Sequence, residues 1–270
     1  GIGLGGTAIS IPMSIVGKHF PLSNRTIAMS LVTAVGSFGY FISPMYTSYS
    51  LINNGWIHTL YIFTIFLVIG LVIAFFVRSP SLSESIEKPS DQNTMSALKE
   101  AFKTKSYVLL TAGFFVCGFH ITLVGTHVPT YVIDRGLETW TAAAILSLIG
   151  LFNIFGSLFS GYLSTKMKKK VILAAIYALR GISICLFIFL PASNINAFIF
   201  GASFGFLWLS TVPATSGIVA HMFGTKHLGM LYGIVFLSHQ IGSFFGSFLG
   251  GLFHDIYGSY DYAWYLAIAL

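Results

Sequence analysis

Seven apolar runs dominate the sequence, at residues 26–50, 57–77, 107–132, 141–165, 171–190, 197–222 and 228–252. Each is 20–26 residues long, and Arg180 is the only Lys, Arg, Asp or Glu inside any of them. About 20 apolar residues, rising 1.5 Å each, cross the ~30 Å hydrocarbon core of a bilayer. Lipid offers no partner to a backbone N–H or C=O, so only helices or closed barrels survive there. A barrel would show alternating strands of about ten residues. The runs are continuous, and the expected class is an all-α membrane protein. With 8% charged residues and a mean hydropathy of +0.83, the chain lacks the charge to coat a water-facing surface. Soluble domains carry about 25%.

The formal charge of +6 invites a nucleic-acid reading. The basic residues are instead sorted by connection. Lys18 and Arg25, then Arg78, Lys88, Lys99, Lys103 and Lys105, then Lys166, Lys168, Lys169 and Lys170, and finally Lys226 occupy alternate connections, twelve of the fourteen. The opposite connections hold Arg135 alone. By the positive-inside rule the basic connections face the cytoplasm, and no nucleic-acid partner is expected. Cys117 and Cys185 sit inside apolar runs and read as buried thiols; neither a metal nor a cofactor is expected. The GIGLGG opening lacks the strand and amphipathic helix of a dinucleotide site and reads as helix packing.

Residues 78–106 are the one long polar segment. The expected organisation is therefore 1–77 as the end of an N-terminal helical bundle, 78–106 as a cytoplasmic central loop, and 107–270 as a C-terminal bundle. Within the loop, SALKEAFK (96–103) reads as an amphipathic helix on the membrane surface. The chain starts and ends inside apolar runs and reads as a fragment.

In the last full run, Gly242, Gly246 and Gly250 recur every four residues and share one face, the small-xxx-small pattern of close membrane helices. Gly36 and Gly39 stand one turn apart in the 26–50 run. Two stretches repeat an order of landmarks. Pro12, Ile15-Val16, Phe20, Arg25, Ala28-Met29, Gly36-Ser37-Phe38-Gly39 and Gly55-Trp56 match Pro213, Ile218-Val219, Phe223, Lys226, Gly229-Met230, Gly242-Ser243-Phe244-Phe245-Gly246 and Ala263-Trp264. The copies lie six spans apart, so both run in the same direction, as in the parallel six-helix repeats of one transporter architecture.

The stretches NRTIAMSLVTAVGSFGYFISP, NNGW, CGFHITLVGTHVPTYVIDRGL and GYLSTKMKKKVILAAIYALRG, with 223–264, resemble the major facilitator superfamily. The likeness is strongest to its bacterial monocarboxylate and oxalate/formate branch. The resemblance implies the major facilitator fold, two six-helix bundles, here incomplete. Residues 1–17 would be the fourth helix and 228–252 the eleventh. The family's Asp-Arg loop signature survives only as Gly161, Lys166, Lys169 and Lys170. The basic residue those carriers use on the eighth helix has no counterpart in 141–165.

The expected function is secondary active transport of a small solute, an organic anion such as a monocarboxylate, by alternating access. Candidate substrate-binding residues are His120, His127 and Tyr131 on one face of a helix, Asn153, Arg180, Trp208, Thr211, His239 and Gln240. Intramembrane ionisable groups are costly and are functional candidates by default. Arg180 needs an anion or carbonyls, and a substrate carboxylate and a structural role both fit. No Asp or Glu lies in a run, so proton coupling would fall to His; symport with an ion or proton, exchange and facilitated uptake all stay open. The expected partners are the substrate and the lipid bilayer, the protein working as a monomer in a bacterial inner membrane. The alternatives are a non-transporting membrane sensor, or an intramembrane enzyme built on Ser216 with His221 or His239.

Overall fold

The computed structural model describes residues 12–13, 15–16, 20, 22–76, 93–224 and 226–270. The glycine-rich opening, Lys18, His19 and the 78–92 part of the polar segment lie outside the described residues. Among the described residues the chain is helical and holds no strand. Six helical stretches among the described residues are long and apolar enough to cross a membrane.

The first, α1 (Leu22–Phe76), is two helices in sequence. Gly55, at φ 78° and ψ 171°, folds the chain back on itself. Tyr46 and Phe63 stack edge-to-face with centroids 6.1 Å apart, and Thr59 Oγ1 donates to Ser50 Oγ at 2.8 Å. Seventeen residues of straight helix would separate Tyr46 from Phe63 by ~25 Å. The Asn53-Asn54-Gly55 turn lies at this reversal, with Asn53 Nδ2 donating to the Tyr49 carbonyl at 2.8 Å. Only glycine occupies this backbone region at low cost. Gly55→Ala is expected to lose about 1–3 kcal/mol of stability. Thermal unfolding in detergent checks this, and an unchanged midpoint would remove the case for a strained turn.

A short amphipathic helix, α2 (Thr94–Lys103), buries Ala97 and Ala101 and exposes Lys99, Glu100 and Lys103. Then come α3 (Lys105–Asp134), α4 (Thr139–Lys166) and α5 (Lys169–Phe189). Residues 197–222, one continuous run in the sequence, form two helices, α6 (Asn194–Leu207) and α7 (Thr211–Phe223). The long α8 (Leu228–Tyr257) and short α9 (Asp261–Ala269) complete the chain.

Lipid tails are as apolar as leucine, so close packing and interhelical hydrogen bonds must hold these helices together. On α8, Gly242 and Gly246 press on the Phe115 and Phe119 carbonyls of α3, and Gly250 presses on the His127 ring. In return Gly118 of α3 faces the His239 carbonyl. Ser238 Oγ donates to the Thr111 carbonyl at 2.9 Å along the same seam. Gly36 and Gly39 lie on the exposed side of α1, where a Cβ would meet no described atom within 4 Å.

The seam between α1 and the later helices is equally close. Gly150 of α4 meets the backbone of Tyr40 and Phe41, and Gly161 meets Ser30 and the Thr26 carbonyl. A Cβ on Gly217 of α7 would stand 2.9 Å from Thr26 Oγ1 and 2.9 Å from Cε of Lys169. Beside it, Ser216 Oγ lies 3.2 Å from Met29 Sδ.

Candidate functional site at the broken helix

The break at Trp208–Ser210 has a local cause. Pro213 has no N–H to give to the Leu209 carbonyl, and its ring crowds that position. Val212 N–H bonds Leu209 instead, at 3.0 Å, one residue short of α-helical spacing. The opened turn exposes backbone groups that lipid cannot satisfy.

Side chains from two other helices supply them. Arg180 of α5 donates from Nε and Nη2 to the Leu207 carbonyl, at 3.2 and 2.7 Å, and from Nη2 to the Trp208 carbonyl. Asn153 of α4 accepts the Leu209 N–H at 2.8 Å through Oδ1. Its Nδ2 donates to Ser37 Oγ of α1 at 2.6 Å. Ser160 Oγ, also of α4, donates to the Ser210 carbonyl at 2.6 Å. The break is thus built into the packing and is also where α1 meets α4 and α7. Trp208 packs on Tyr40 of α1 with ring centroids 5.6 Å apart. Gly125 of α3 makes room for that pair, its Cβ position lying 3.4 Å from Tyr40 Oη.

Arg180 is fully buried, with its guanidinium carbon 5.7 Å from the Tyr177 ring centre and 6.0 Å from that of Phe204. Its Nη1 has no hydrogen-bond partner among the described residues. The thiol of Cys117 on α3 lies 3.3 Å from Thr211 Oγ1, at the start of α7. Thus the structure gathers Asn153, Arg180, Trp208 and Thr211 around one break, whereas His239 of α8 stacks on Phe236 with ring centroids 5.2 Å apart.

The other candidates lie elsewhere. His120 Nε2 donates to the Ala267 carbonyl of α9 at 2.7 Å, and His127 Nε2 donates to the Ser247 carbonyl of α8 at 2.8 Å. Tyr131 packs against Trp264 and Tyr260 and accepts from Arg135 Nη1 at 2.7 Å. This stripe therefore faces α8, α9 and the turn between them. Gln240 is exposed, its Oε1 3.2 Å from His239 Nδ1. At the Lys-rich end, Gly161 seats Ser30, Lys169 reaches Gly217, and Lys166 and Lys170 are exposed. Ser216 Oγ donates to the Val212 carbonyl at 2.9 Å and His221 is exposed, so these residues do not assemble a nucleophile and base.

Ser37, Tyr40, Cys117, Gly156 and Ser160 belong to the site, and nothing in the sequence marks them as members of it. Pro213, four residues after Leu209, is the one local signal of the break.

Comparison with known families settles the ancestry. The family model for the Major Facilitator Superfamily matches residues 1–216. The chain belongs to the Major Facilitator Superfamily. It is 25% identical over 272 residues to the uncharacterized MFS-type transporter YcxA of Bacillus subtilis, covering 95% of this chain and 65% of that one. It is 24% identical over 262 residues to monocarboxylate transporter 13 of Rattus norvegicus, covering 94% and 59%. The chain thus spans about three fifths of the length of the curated relatives it matches. A crystal structure of the Escherichia coli fucose:proton symporter FucP superposes with a TM-score of 0.72 at 15% identity, over 96% of this chain and 70% of that one. That likeness establishes the major facilitator fold, and the family match with the six apolar spans among the described residues supports an integral, multi-pass membrane protein.

Proposed function

We propose that this superfamily member is the greater part of a secondary active transporter for a small organic anion, with monocarboxylates the first class to test. The carrying observation is the helix broken at Trp208–Ser210 where α1 meets α4 and α7. Discontinuous helices at a repeat interface are where carriers of this type build their substrate sites. A buried Arg180 behind the break, with no Asp or Glu in any apolar run, favours a negatively charged substrate. The relative named as a monocarboxylate transporter supports the same class.

In this reading residues 1–77 end the first bundle, 78–106 form the cytoplasmic central loop, and 107–270 form the second bundle. By the internal repeat, the 26–50 part of α1 corresponds to α8, and the open Gly36–Gly39 face would receive a helix equivalent to α3. Thr26, Ser30, Ser37, Tyr40 and Phe41 of α1, in the half of this helix nearer the Lys-rich connections, make close contacts with α4 and α7. If those connections are cytoplasmic, this conformation is closed on the cytoplasmic side, and transport proceeds by parting the Thr26–Gly217, Ser30–Gly161 and Ser37–Asn153 contacts. The protein would act as a monomer in a bacterial inner membrane.

The test is uptake by the whole protein in liposomes, against a panel of labelled monocarboxylates, amino acids and sugars. Saturable carboxylate uptake is expected. Uptake of neutral sugars alone would overturn the anion reading. Asn153→Ala removes the hydrogen bonds to Leu209 N and Ser37 together and is expected to slow uptake about tenfold or more, the equivalent of one buried hydrogen bond.

A further inference from the structure

Helices α4 and α5 are joined by only Met167 and Lys168, yet they touch each other little and pack instead on α6. A furrow of about 420 Å³ is left between them. Its walls are Phe159 and Leu163 of α4 with Ile172, Ala175 and Leu179 of α5, and it reaches down to Leu207 and Ser210 at the broken turn. The two serines on its border bond inward, Ser160 Oγ to the Ser210 carbonyl and Ser210 Oγ to the Phe206 carbonyl, both at 2.6 Å. The lining that remains is apolar. Phe159 and Leu179 are 50% and 49% exposed, so the furrow opens outward, where lipid stands.

At one end the furrow meets the most basic stretch of the chain. Lys166, Lys168, Lys169 and Lys170 fall between Leu163 and Ile172. Lys166, Lys168 and Lys170 are exposed, while the stem of Lys169 lies against Gly217. No Asp or Glu occurs between Glu138 and Asp255, so neither helix supplies a counter-ion beyond Glu138 at the far end of α4. From Lys170 to Leu179 the axis of α5 rises ~14 Å. One leaflet takes about half of the ~30 Å hydrocarbon core. The furrow is therefore as deep as one leaflet, with positive charge at headgroup level and the broken turn near the midplane.

We propose that the α4–α5 furrow binds one anionic phospholipid from the leaflet on the Lys-rich side. An acyl chain lies in the furrow against Leu207 and Ser210, and the phosphate sits among Lys166, Lys168 and Lys170. An empty furrow forfeits dispersion contacts that an acyl chain restores, and each lysine near a lipid phosphate adds attraction. A row of lysines alone orients a chain in the bilayer and calls for no furrow. Free phosphate would meet the lysines and leave the furrow open, whereas a phospholipid matches both. Because the acyl chain rests on the turn that Arg180 and Asn153 bond, occupancy braces the break. The proposal does not depend on which solute the protein carries.

The experiment is thermal unfolding of the whole, delipidated protein in detergent, titrated separately with dioleoylphosphatidylglycerol, dioleoylphosphatidylcholine and inorganic phosphate. Anything that binds the folded state alone raises its midpoint in a saturable way. Phosphatidylglycerol is expected to do so at a half-maximal concentration about tenfold or more below that of phosphatidylcholine, with phosphate inert. Ala175→Trp puts a large ring into the furrow from an exposed position and is expected to raise the phosphatidylglycerol half-maximum about tenfold or more. Ala174→Trp, exposed but outside the furrow, leaves it unchanged. Replacing Lys166, Lys168 and Lys170 together by Gln is expected to bring phosphatidylglycerol to the phosphatidylcholine value and to leave phosphatidylcholine where it was. Coincident curves for the two lipids in the unaltered protein would overturn the site, as would phosphate matching phosphatidylglycerol or Ala175→Trp behaving as Ala174→Trp does. If Ala175→Trp does not fold, the lysine variant decides, and an undiminished preference for phosphatidylglycerol refutes the proposal.

Discussion

Arg180→Met is expected to destabilise the fold by about 3 kcal/mol and to abolish uptake. Two carbonyls, Leu207 and Trp208, lose their donor. A buried carbonyl left unpaired costs about 1–3 kcal/mol, and lipid supplies no water to replace the arginine. An opposing effect exists, because methionine also removes a buried charge whose desolvation is expensive. It is the smaller effect here, since the guanidinium already rests on two carbonyl dipoles and beside the Tyr177 and Phe204 rings. Arg180→Lys keeps the charge but loses the planar fork that spans two carbonyls, and should fall between methionine and wild type. Thermal unfolding in detergent and liposome uptake are the two measurements. A methionine variant that melts above wild type would show that the charge, and not the bonding of the broken helix, dominates at this position.

Gly156→Ala is expected to be more disruptive than any other single methyl addition near the break. A Cβ at Gly156 would overlap the Phe206 carbonyl and stand 2.8 Å from Ser210 Oγ. The obstructing atoms are mainly backbone, so no rotamer change relieves the clash, and α4 must move away from α6. That displacement also pulls Asn153 and Ser160, on the same helix, off Leu209 and Ser210. Overpacking a tight core costs about 1–3 kcal/mol, and the lost hydrogen bonds add about 1 kcal/mol each. Gly233→Ala is the control: no atom lies within 4 Å of its Cβ position, and alanine favours helix by up to about 1 kcal/mol. Similar unfolding midpoints for the two variants would refute close α4–α6 packing as the basis of the site.

Much of the architecture is legible in the residues. The apolar runs read as helices because a bilayer leaves a continuous apolar chain no other hydrogen-bonded form. Asn53-Asn54-Gly55 marks the reversal in α1, since Gly55 takes a backbone conformation that other residues resist. The family likeness is readable as well, and the family match and the FucP superposition bear it out.

The site is less legible. Arg180, Asn153 and Trp208 stand out individually because a polar group or a large aromatic in an apolar run calls for a partner. Their common partner, the turn at Trp208–Ser210, does not stand out. A run such as 197–222 is equally apolar whether continuous or broken, and Pro213 alone does not tell a kink from a break. His120 and His127 look alike in spacing to pore-lining residues, yet each donates to a carbonyl of a neighbouring helix. Spacing defines which residues share a face but not which helix covers that face.

By itself, then, the sequence determined the all-helical membrane class, the helix reversals and the family, because these depend on local hydropathy, turn chemistry and inherited motifs. Only the tertiary structure decided that the 197–222 run breaks, and that Arg180, Asn153 and Ser160 bond the opened turn. It alone brought the Cys117 thiol to Thr211. Those arrangements depend on contacts between residues far apart in the chain, 116 positions in the case of Ser37 and Asn153, and helix-to-helix packing, not local pattern, creates them.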